Sequence, residues 1–420
     1  MSEPVIYAAS WLINPEESSV AGGAILVRDG VITDIGTVAE LRQNYSASVV
    51  EYPGCAIVPG FVNAHTHLEL THFPSWRLRM DIDYYPRRFT DWIIQLIKIA
   101  RGLKPEDYPP SVREGMRMCL ESGTTAIGEI VSNPDLVGLY RNSSLSGRLY
   151  LEVLGQDPVR FNDKLAGALA AAGTGGTTSM LTGLSPHSPY TIGAEHLPAI
   201  RDAAFTHRLP LAIHISESNA ETDFIFDSSG PLAQDFYPFL GWEQYLTHPL
   251  RCSPTELLDR HGLLTPDTLA VHCVHVSMAD ARLLKERGVS IALCPRSNEK
   301  LDVGRAPVAL FRKLGIPLAL GTDSLASNDS LSLWDEMRYV LDTFSSDFVP
   351  EDVFRMATIG GASALGIAKS AGSLKVGKRA DFQVIENCGD TEEGLLDRVV
   401  RNSRVQEVYA GGKLYVGNHA

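Results

Sequence analysis

The stretch Pro59–Leu70, PGFVNAHTHLEL, carries an apolar run into two histidines separated by a single residue. Successive side chains of a β-strand alternate between faces, so His65 and His67 would project to the same side and could offer two imidazoles to one ion. Such a pair also serves in surface hydrogen-bond networks. The choice depends on what the rest of the chain sets beside it.

Working outward, apolar strand-like runs alternate with helical ones. They end near His67, Ile130 (TTAIGEI), Leu154 (RLYLEVL), Pro186 (SMLTGLSP), Ile215 (LPLAIHI), Val276 (LAVHCVHV), Pro295 (VSIALCP) and Asp323 (IPLALGTD), with helices predicted over 194–208 and 278–287. Eight βα units over residues 59–369 suit an α/β fold of the (β/α)8 TIM-barrel kind. A doubly wound sheet is the alternative, but no G-x-G-x-x-G follows the first strand and no G-x-x-x-x-G-K-[ST] occurs. The two ends of the chain differ from this middle. Residues 1–58 read as short strands around an Asp29-Gly30 hairpin turn, and 370–420 as further strands broken by glycine. Neither end is long enough to close a β-layer alone, so both are expected to pair into one small composite β-sandwich domain.

Two insertions, 68–110 and 217–264, follow the first and fifth strands. The former holds an amphipathic helix predicted over 89–101, FTDWIIQLIKIAR, and the latter is rich in Phe, Tyr, Trp and Pro. On a barrel both lie on the rim where catalytic groups collect, and would roof a pocket, although loop packing or a subunit contact would use the same aromatics.

Composition narrows the function class. Hydrophobic residues make up 44% and charged residues 21% of the chain, ordinary for a globular protein, and the formal net charge is −13. That balance disfavours a nucleic-acid or anionic-membrane partner and leaves a small molecule as the expected one, with homo-oligomer formation left open. The cysteines, Cys55, Cys119, Cys252, Cys273, Cys294 and Cys388, are scattered without a C-x-x-C pair. This reads as reduced, buried thiols in a cytoplasmic protein. MSEPVIYAAS has no basic segment leading into an apolar core, and no apolar run approaches the roughly 20 residues that span a bilayer.

Ligand-type residues recur at the predicted strand ends: His65 and His67 at the first, His214 at the fifth, His272 in the sixth and Asp323 after the eighth. A barrel brings strand ends to one mouth, so residues over 250 positions apart can share an ion in an N/O site that leaves room for water. Taken singly, each has another reading: a core histidine, or, for Asp323, a cap on the helix near 331–339. His275 falls on the opposite strand face from His272 and is expected to be structural. Glu217, three residues after His214, stands where a general base would reach a water without binding the ion, although by itself it reads as a solvated loop acid.

With these residues in view, the motifs HTH (65–67), PHSPY (186–190), HISE (214–217), VHCVHV (271–276), CPRSN (294–298), GTDSLASNDSLSLWDEMR (321–338) and the tail GSLKVGKRADF resemble the amidohydrolase superfamily. The likeness is closest to its chlorohydrolase/aminohydrolase branch of metal-dependent deaminases. The resemblance implies the barrel, the β-sandwich, and one catalytic divalent metal bound by His65, His67, His214 and Asp323, with His272 orienting the water. Binuclear members place a carboxylated lysine on the fourth strand, and SMLTGLSPHSPY has none, which favours one metal. Zinc is the first expectation and ferrous iron the second. The implied reaction is hydrolytic deamination, with catalytic residues Glu217, His272 and Asp323.

Within the branch, HLEL, the helix with Trp92 and SLASNDSLSLWDEMR most resemble the 6-aminodeoxyfutalosine deaminases of the futalosine route to menaquinone. The 5'-methylthioadenosine/S-adenosylhomocysteine, adenosine and guanine deaminases and the s-triazine hydrolases are alternatives. Some relatives carry a ribose-binding Glu near the end of this helix, where Arg101 stands. Arg101, or Arg148 at the start of the third strand, could pair with a substrate carboxylate, and both read equally as surface charges. Glu69, His187 and Trp92 complete the candidate substrate contacts. A catalytically silent scaffold would have no need of this complete residue set. Cyclic amide hydrolysis usually uses the lysine that is absent.

Overall fold

The computed structural model describes residues 3–82, 86, 88–246, 248–386, 388–389, 391–402 and 404–416. Its centre is a sheet of eight parallel strands in sequential order: Phe61–Thr66, Thr124–Val131, Ser146–Val153, Met180–Pro186, Leu211–Ile215, Thr268–His272, Ser290–Leu293 and Leu318–Leu320. The backbone N–H groups of Thr322 and Asp323 both donate to the His65 carbonyl at 3.1 Å, closing the eighth strand onto the first. All eight expected strands are present. They read as near-continuous apolar runs because a parallel barrel buries both faces. Leu149, Leu151 and Val153 pack outward beneath the helices, while Tyr150, Ala212, Val271, Ala292 and Ala319 fill the interior above Ile359, Ala362 and Leu365.

The sixth strand is shorter than its apolar run suggested. It ends at His272, where φ is 69°, and Cys273 at 50° turns the chain away. His275 is therefore off the strand, and its Nε2 faces the Val303 carbonyl at 2.7 Å, a structural role.

Both chain ends contribute to a second, mixed sheet. Ser48–Pro59 lies at its centre, parallel to Val5–Leu12 and antiparallel to Phe382–Glu386, while Gly23–Arg28 and Val31–Thr37 form the hairpin turned at Asp29-Gly30. Asp29 and Gly30 both have positive φ, the backbone of a tight two-residue hairpin. The sheet curls over Tyr7, Ile25, Ile57, Phe382 and Tyr409. Its far edge is tied by Ala380 N–H to the Gly30 carbonyl and Gly412 N–H to the Ala380 carbonyl, both 2.8 Å. The central strand runs straight into the barrel through Gly60, where a Cβ would lie 2.2 Å from Thr125 Oγ1. Only glycine fits there. This join fixes where the histidine pair of the first strand begins.

Candidate active site and metal centre

His65 and His67 reach the barrel mouth through an irregularity. Val62 and Ala64 face the interior, so uninterrupted alternation would point His65 outward. Between Asn63, paired with Ile127, and Thr66, paired with Glu129, the first strand spends three steps against two on its neighbour. That extra residue is a bulge, and it turns both imidazoles inward. Unusual backbone places the other members as well. His272 and Asp323 have φ of 69° and 58°, and Ser216, which launches Glu217, has 52°. Left-handed conformations at non-glycine residues cost on the order of 1–3 kcal/mol each and persist where surrounding structure enforces them.

The ring nitrogens converge closely. His65 Nε2 and His67 Nε2 are 3.2 Å apart, His67 Nε2 and His214 Nε2 3.3 Å. Asp323 Oδ1 lies 3.7 Å from His65 Nε2 and 3.6 Å from His67 Nε2. His272 belongs to the same cluster through His65 and His214. Burial pushes all four imidazoles below the ordinary histidine range, His67 to about 3, so each is uncharged. The His214 Nδ1–H donates to the His187 carbonyl at 2.8 Å, which leaves its Nε2 as a bare lone pair aimed at the others. Neutral lone pairs facing one another repel unless a cation sits among them. The spacings match the roughly 3.3 Å edge of a tetrahedron around an ion with bonds of about 2.05 Å, as for zinc and imidazole. The residues present fit a divalent metal.

Asp323 is ionised. Burial opposes its charge, but contact with His65, His67 and His272 outweighs burial and holds it well below the carboxylate range. Its Oδ2 accepts from Ser297 Oγ at 2.7 Å and Ser327 Oγ at 2.6 Å, leaving Oδ1 for the cluster. It does not cap the helix Leu333–Thr343, which starts after Ser332. His272 Nδ1 faces Asn298 Oδ1 at 2.9 Å, so Nδ1 carries the proton and Nε2 is left as an acceptor, 3.6 Å from Glu217 Oε1. Glu217 is buried, and burial with the field of Asp323 raises its carboxyl well above the usual range. Glu221 anchors it from behind, accepting from the backbone N–H groups of Ser216 at 3.0 Å and Glu217 at 2.9 Å.

These groups floor a cavity of about 510 Å³. The two insertions meet over it, supplying Phe89, Trp92, Ile93 and Leu96 from one side and Phe236, Leu240 and Trp242 from the other. His67, His214, His272, Asp323, Glu217, His187, Glu69 and Trp92 all line it, and His65 lies fully buried beneath. His187 Nδ1 lies 3.0 Å from both Ser188 Oγ and Thr191 Oγ1. Glu69 Oε1 accepts from the N–H groups of Ser132 and Asn133, and Trp92 Nε1 donates to the Ala326 carbonyl.

The two arginines are a correction, since neither lines the cavity. Arg148 lies on the same strand face as Glu152 but four residues nearer the closed end, about 13 Å away at roughly 3.3 Å per residue. There it donates to the carbonyls of Leu365 and Thr182. Arg101 is exposed and stacks 4.7 Å over the Phe239 ring. The sequence reading also missed Glu152, Glu221, Asn298, Ser297 and Ser327. For the last three the CPRSN and DSLAS motifs were a signal, since both put small polar residues beside strand ends.

The chain matches the amidohydrolase family over residues 56–234 and 243–415. It belongs to that family. It is accordingly a hydrolase acting on carbon–nitrogen bonds. A 5-methylthioadenosine/S-adenosylhomocysteine deaminase of Syntrophobacter fumaroxidans is 31% identical over 395 residues, 89% of this chain and 82% of that protein. An aminodeoxyfutalosine deaminase of Deinococcus radiodurans is 29% identical over 359 residues, 82% and 81%. An adenosine deaminase of Xanthomonas campestris solved with bound zinc superposes with a TM-score of 0.80 at 25% identity, covering 98% of this chain and 93% of that one. No helix among the described residues is long and apolar enough to cross a membrane.

Proposed function

We propose that this amidohydrolase is a hydrolytic deaminase that converts a 6-aminopurine nucleoside with a 5' extension into its 6-oxo form and ammonia, using one zinc ion held by His65, His67, His214 and Asp323. The carrying observation is the convergence of three uncharged imidazoles and one ionised carboxylate beneath a roofed, mainly apolar cavity, with the buried carboxyl of Glu217 at their edge. The named relatives support a nucleoside. A cytoplasmic setting fits the six scattered, buried cysteines.

A divalent ion in this site would lower the pKa of a water and polarise the carbon–nitrogen bond under attack. The remaining work belongs to the chain. Glu217 takes the proton of the attacking water and delivers it to the ring nitrogen beside the attacked carbon, and burial, which raises its carboxyl above the usual range, makes it the stronger base for that transfer. His272, its tautomer locked by Asn298, accepts a hydrogen bond from the attacking oxygen through Nε2. The second proton of that oxygen then passes to the exocyclic amine, so that ammonia leaves as the carbon–nitrogen bond breaks and the 6-oxo group forms, while Asp323 stays ionised. The aromatic roof excludes bulk water and stacks on the purine.

The apolar wall formed by Leu96, Ile97, Phe236 and Leu240 suits an alkylthio or aryl 5' substituent, 6-aminodeoxyfutalosine included, with its carboxylate directed to the open mouth. Ammonia release from adenosine, 5'-deoxyadenosine, 5'-methylthioadenosine, S-adenosylhomocysteine, 6-aminodeoxyfutalosine, guanine and a triazine tests the reading. Turnover of guanine or the triazine alone would overturn it.

A further inference from the structure

Four carboxylates line the cavity among the described residues, and three are already engaged. Asp323 faces the histidine cluster, Glu217 faces His272, and Glu69 is held by two backbone N–H groups. The fourth, Glu152, has no hydrogen-bond or ion-pair partner among the described residues. Strand alternation explains its direction: Tyr150 fills the barrel interior, and Glu152, two residues further along, faces the same way at the mouth. It sits beside His187, whose backbone N–H donates to the Val153 carbonyl at 3.1 Å and whose ring centroid lies 4.9 Å from that of His214. Glu152 is therefore one strand further from the metal cluster than His187. No lysine or arginine among the described residues lines the cavity to neutralise it.

Water satisfies a partly buried carboxylate while the cavity is empty, and a substrate that displaces this water must supply donors in its place. Its two oxygens match a pair of adjacent donors. We propose that Glu152 is a specificity-determining residue that accepts hydrogen bonds from the vicinal 2'- and 3'-hydroxyls of the substrate's pentose. It anchors the nucleoside one strand away from the reacting carbon. This rests on the nucleoside reading above and adds to it the position of the sugar. A site built to hydrogen-bond hydroxyls discriminates strongly against analogues that lack them, because its own polar group is then left unpaired.

The test compares adenosine, 2'-deoxyadenosine, 3'-deoxyadenosine and 2',3'-dideoxyadenosine as substrates of the metal-loaded wild type and Glu152→Gln, with metal content and melting temperature measured alongside. The wild type is expected to prefer adenosine over the dideoxy analogue at least tenfold in kcat/KM. Glu152→Gln is expected to lower adenosine ten- to hundredfold, mainly through KM, while changing the dideoxy analogue less than threefold, so that the preference collapses. Equal turnover of adenosine and the dideoxy analogue by the wild type overturns the proposal without any variant. So does a preference that survives in Glu152→Gln, or a selective loss on S-adenosylhomocysteine alone, which would assign the carboxylate to an ammonium group. Failure of the wild type on every nucleoside overturns the nucleoside reading itself and this proposal with it.

Discussion

Glu217→Gln is the substitution that bears most directly on the chemistry. The amide has the shape of the carboxyl, and its backbone stays where it is because Glu221 holds the N–H of residue 217 at 2.9 Å and that of Ser216 at 3.0 Å. Glu217 is no metal ligand in this geometry; its nearest recorded partner in the cluster is His272, at 3.6 Å. The variant should therefore retain the metal, and substrate binding should hardly change. What is lost is a group that can take the water's proton and return it to the ring. Positioned acid/base catalysis is worth about 10²–10⁴ in rate, or about 2.7–5.4 kcal/mol of transition-state stabilisation. The loss should fall on kcat, with KM within about threefold of wild type, because the interaction exists only in the transition state. Ammonia release followed by a coupled assay, with elemental analysis of the same sample, reads both quantities. A variant that is fully metal-loaded and within tenfold of wild-type kcat would refute the assignment and move the proton transfer elsewhere, with His272 the nearest alternative.

Three further outcomes are expected. His214→Ala should cut zinc content at least tenfold by elemental analysis, since one of three converging nitrogens is removed; full occupancy would disprove the site. Arg148→Met should destabilise the fold by about 1.5–3 kcal/mol, the worth of a charged hydrogen bond, because the Leu365 and Thr182 carbonyls lose their donor, while the ratio of kcat/KM between carboxylated and neutral nucleosides stays unchanged. Glu69 is buried, and burial raises its carboxyl to about 8 against 4.5 for the free group. Between those values the folded protein binds one more proton than the unfolded chain, so its stability falls as pH rises, by up to about 1.4 kcal/mol per pH unit. Glu69→Gln keeps an acceptor for Ser132 and Asn133 and removes that slope, so its melting temperature should gain on wild type from pH 6 to pH 7.5, and a constant gap would contradict the burial argument.

Much of this architecture is legible before folding because a parallel barrel writes itself as apolar runs with functional residues at their ends. His214 and Asp323 could be picked out that way. Direction along the strand was legible too: Arg148 begins the third strand and Glu152 nearly ends it, and only strand ends face the mouth. Arg148 was nevertheless a candidate, because a lone arginine in an apolar run has no visible partner in the sequence, and its partners are main-chain carbonyls 34 and 217 residues away. Glu221 escaped for the same reason, and Asn298, Ser297 and Ser327, although inside motifs that stood out, gave no sign of their separate roles. Their roles are defined by which atom the fold sets opposite them, and an asparagine that fixes a tautomer looks like any other asparagine.

The places where local rules broke down are the more informative ones. Alternation alone carries His65 to the outside, and a bulge brings it back. The apolar run LAVHCVHV promises a strand through Val276, yet the chain turns into left-handed backbone at His272 and Cys273. Ser216 and Asp323, at the ends of the fifth and eighth strands, take the same unfavourable conformation. All four non-glycine positions belong to the site or directly adjoin a member of it, and the strand interiors of the barrel contain none. Strain of this kind is kept only where something requires a side chain to point against the strand's own geometry. Here the requirement is that groups from the first, fifth, sixth and eighth strands aim at one point, which regular strands diverging around a barrel cannot all do. Left-handed backbone at Asp29, Asp81, Arg208, Ser228, Arg251 and Asp302 belongs to turns, loops and helix caps, so it is the departures at the barrel's strand ends that mark the reacting centre.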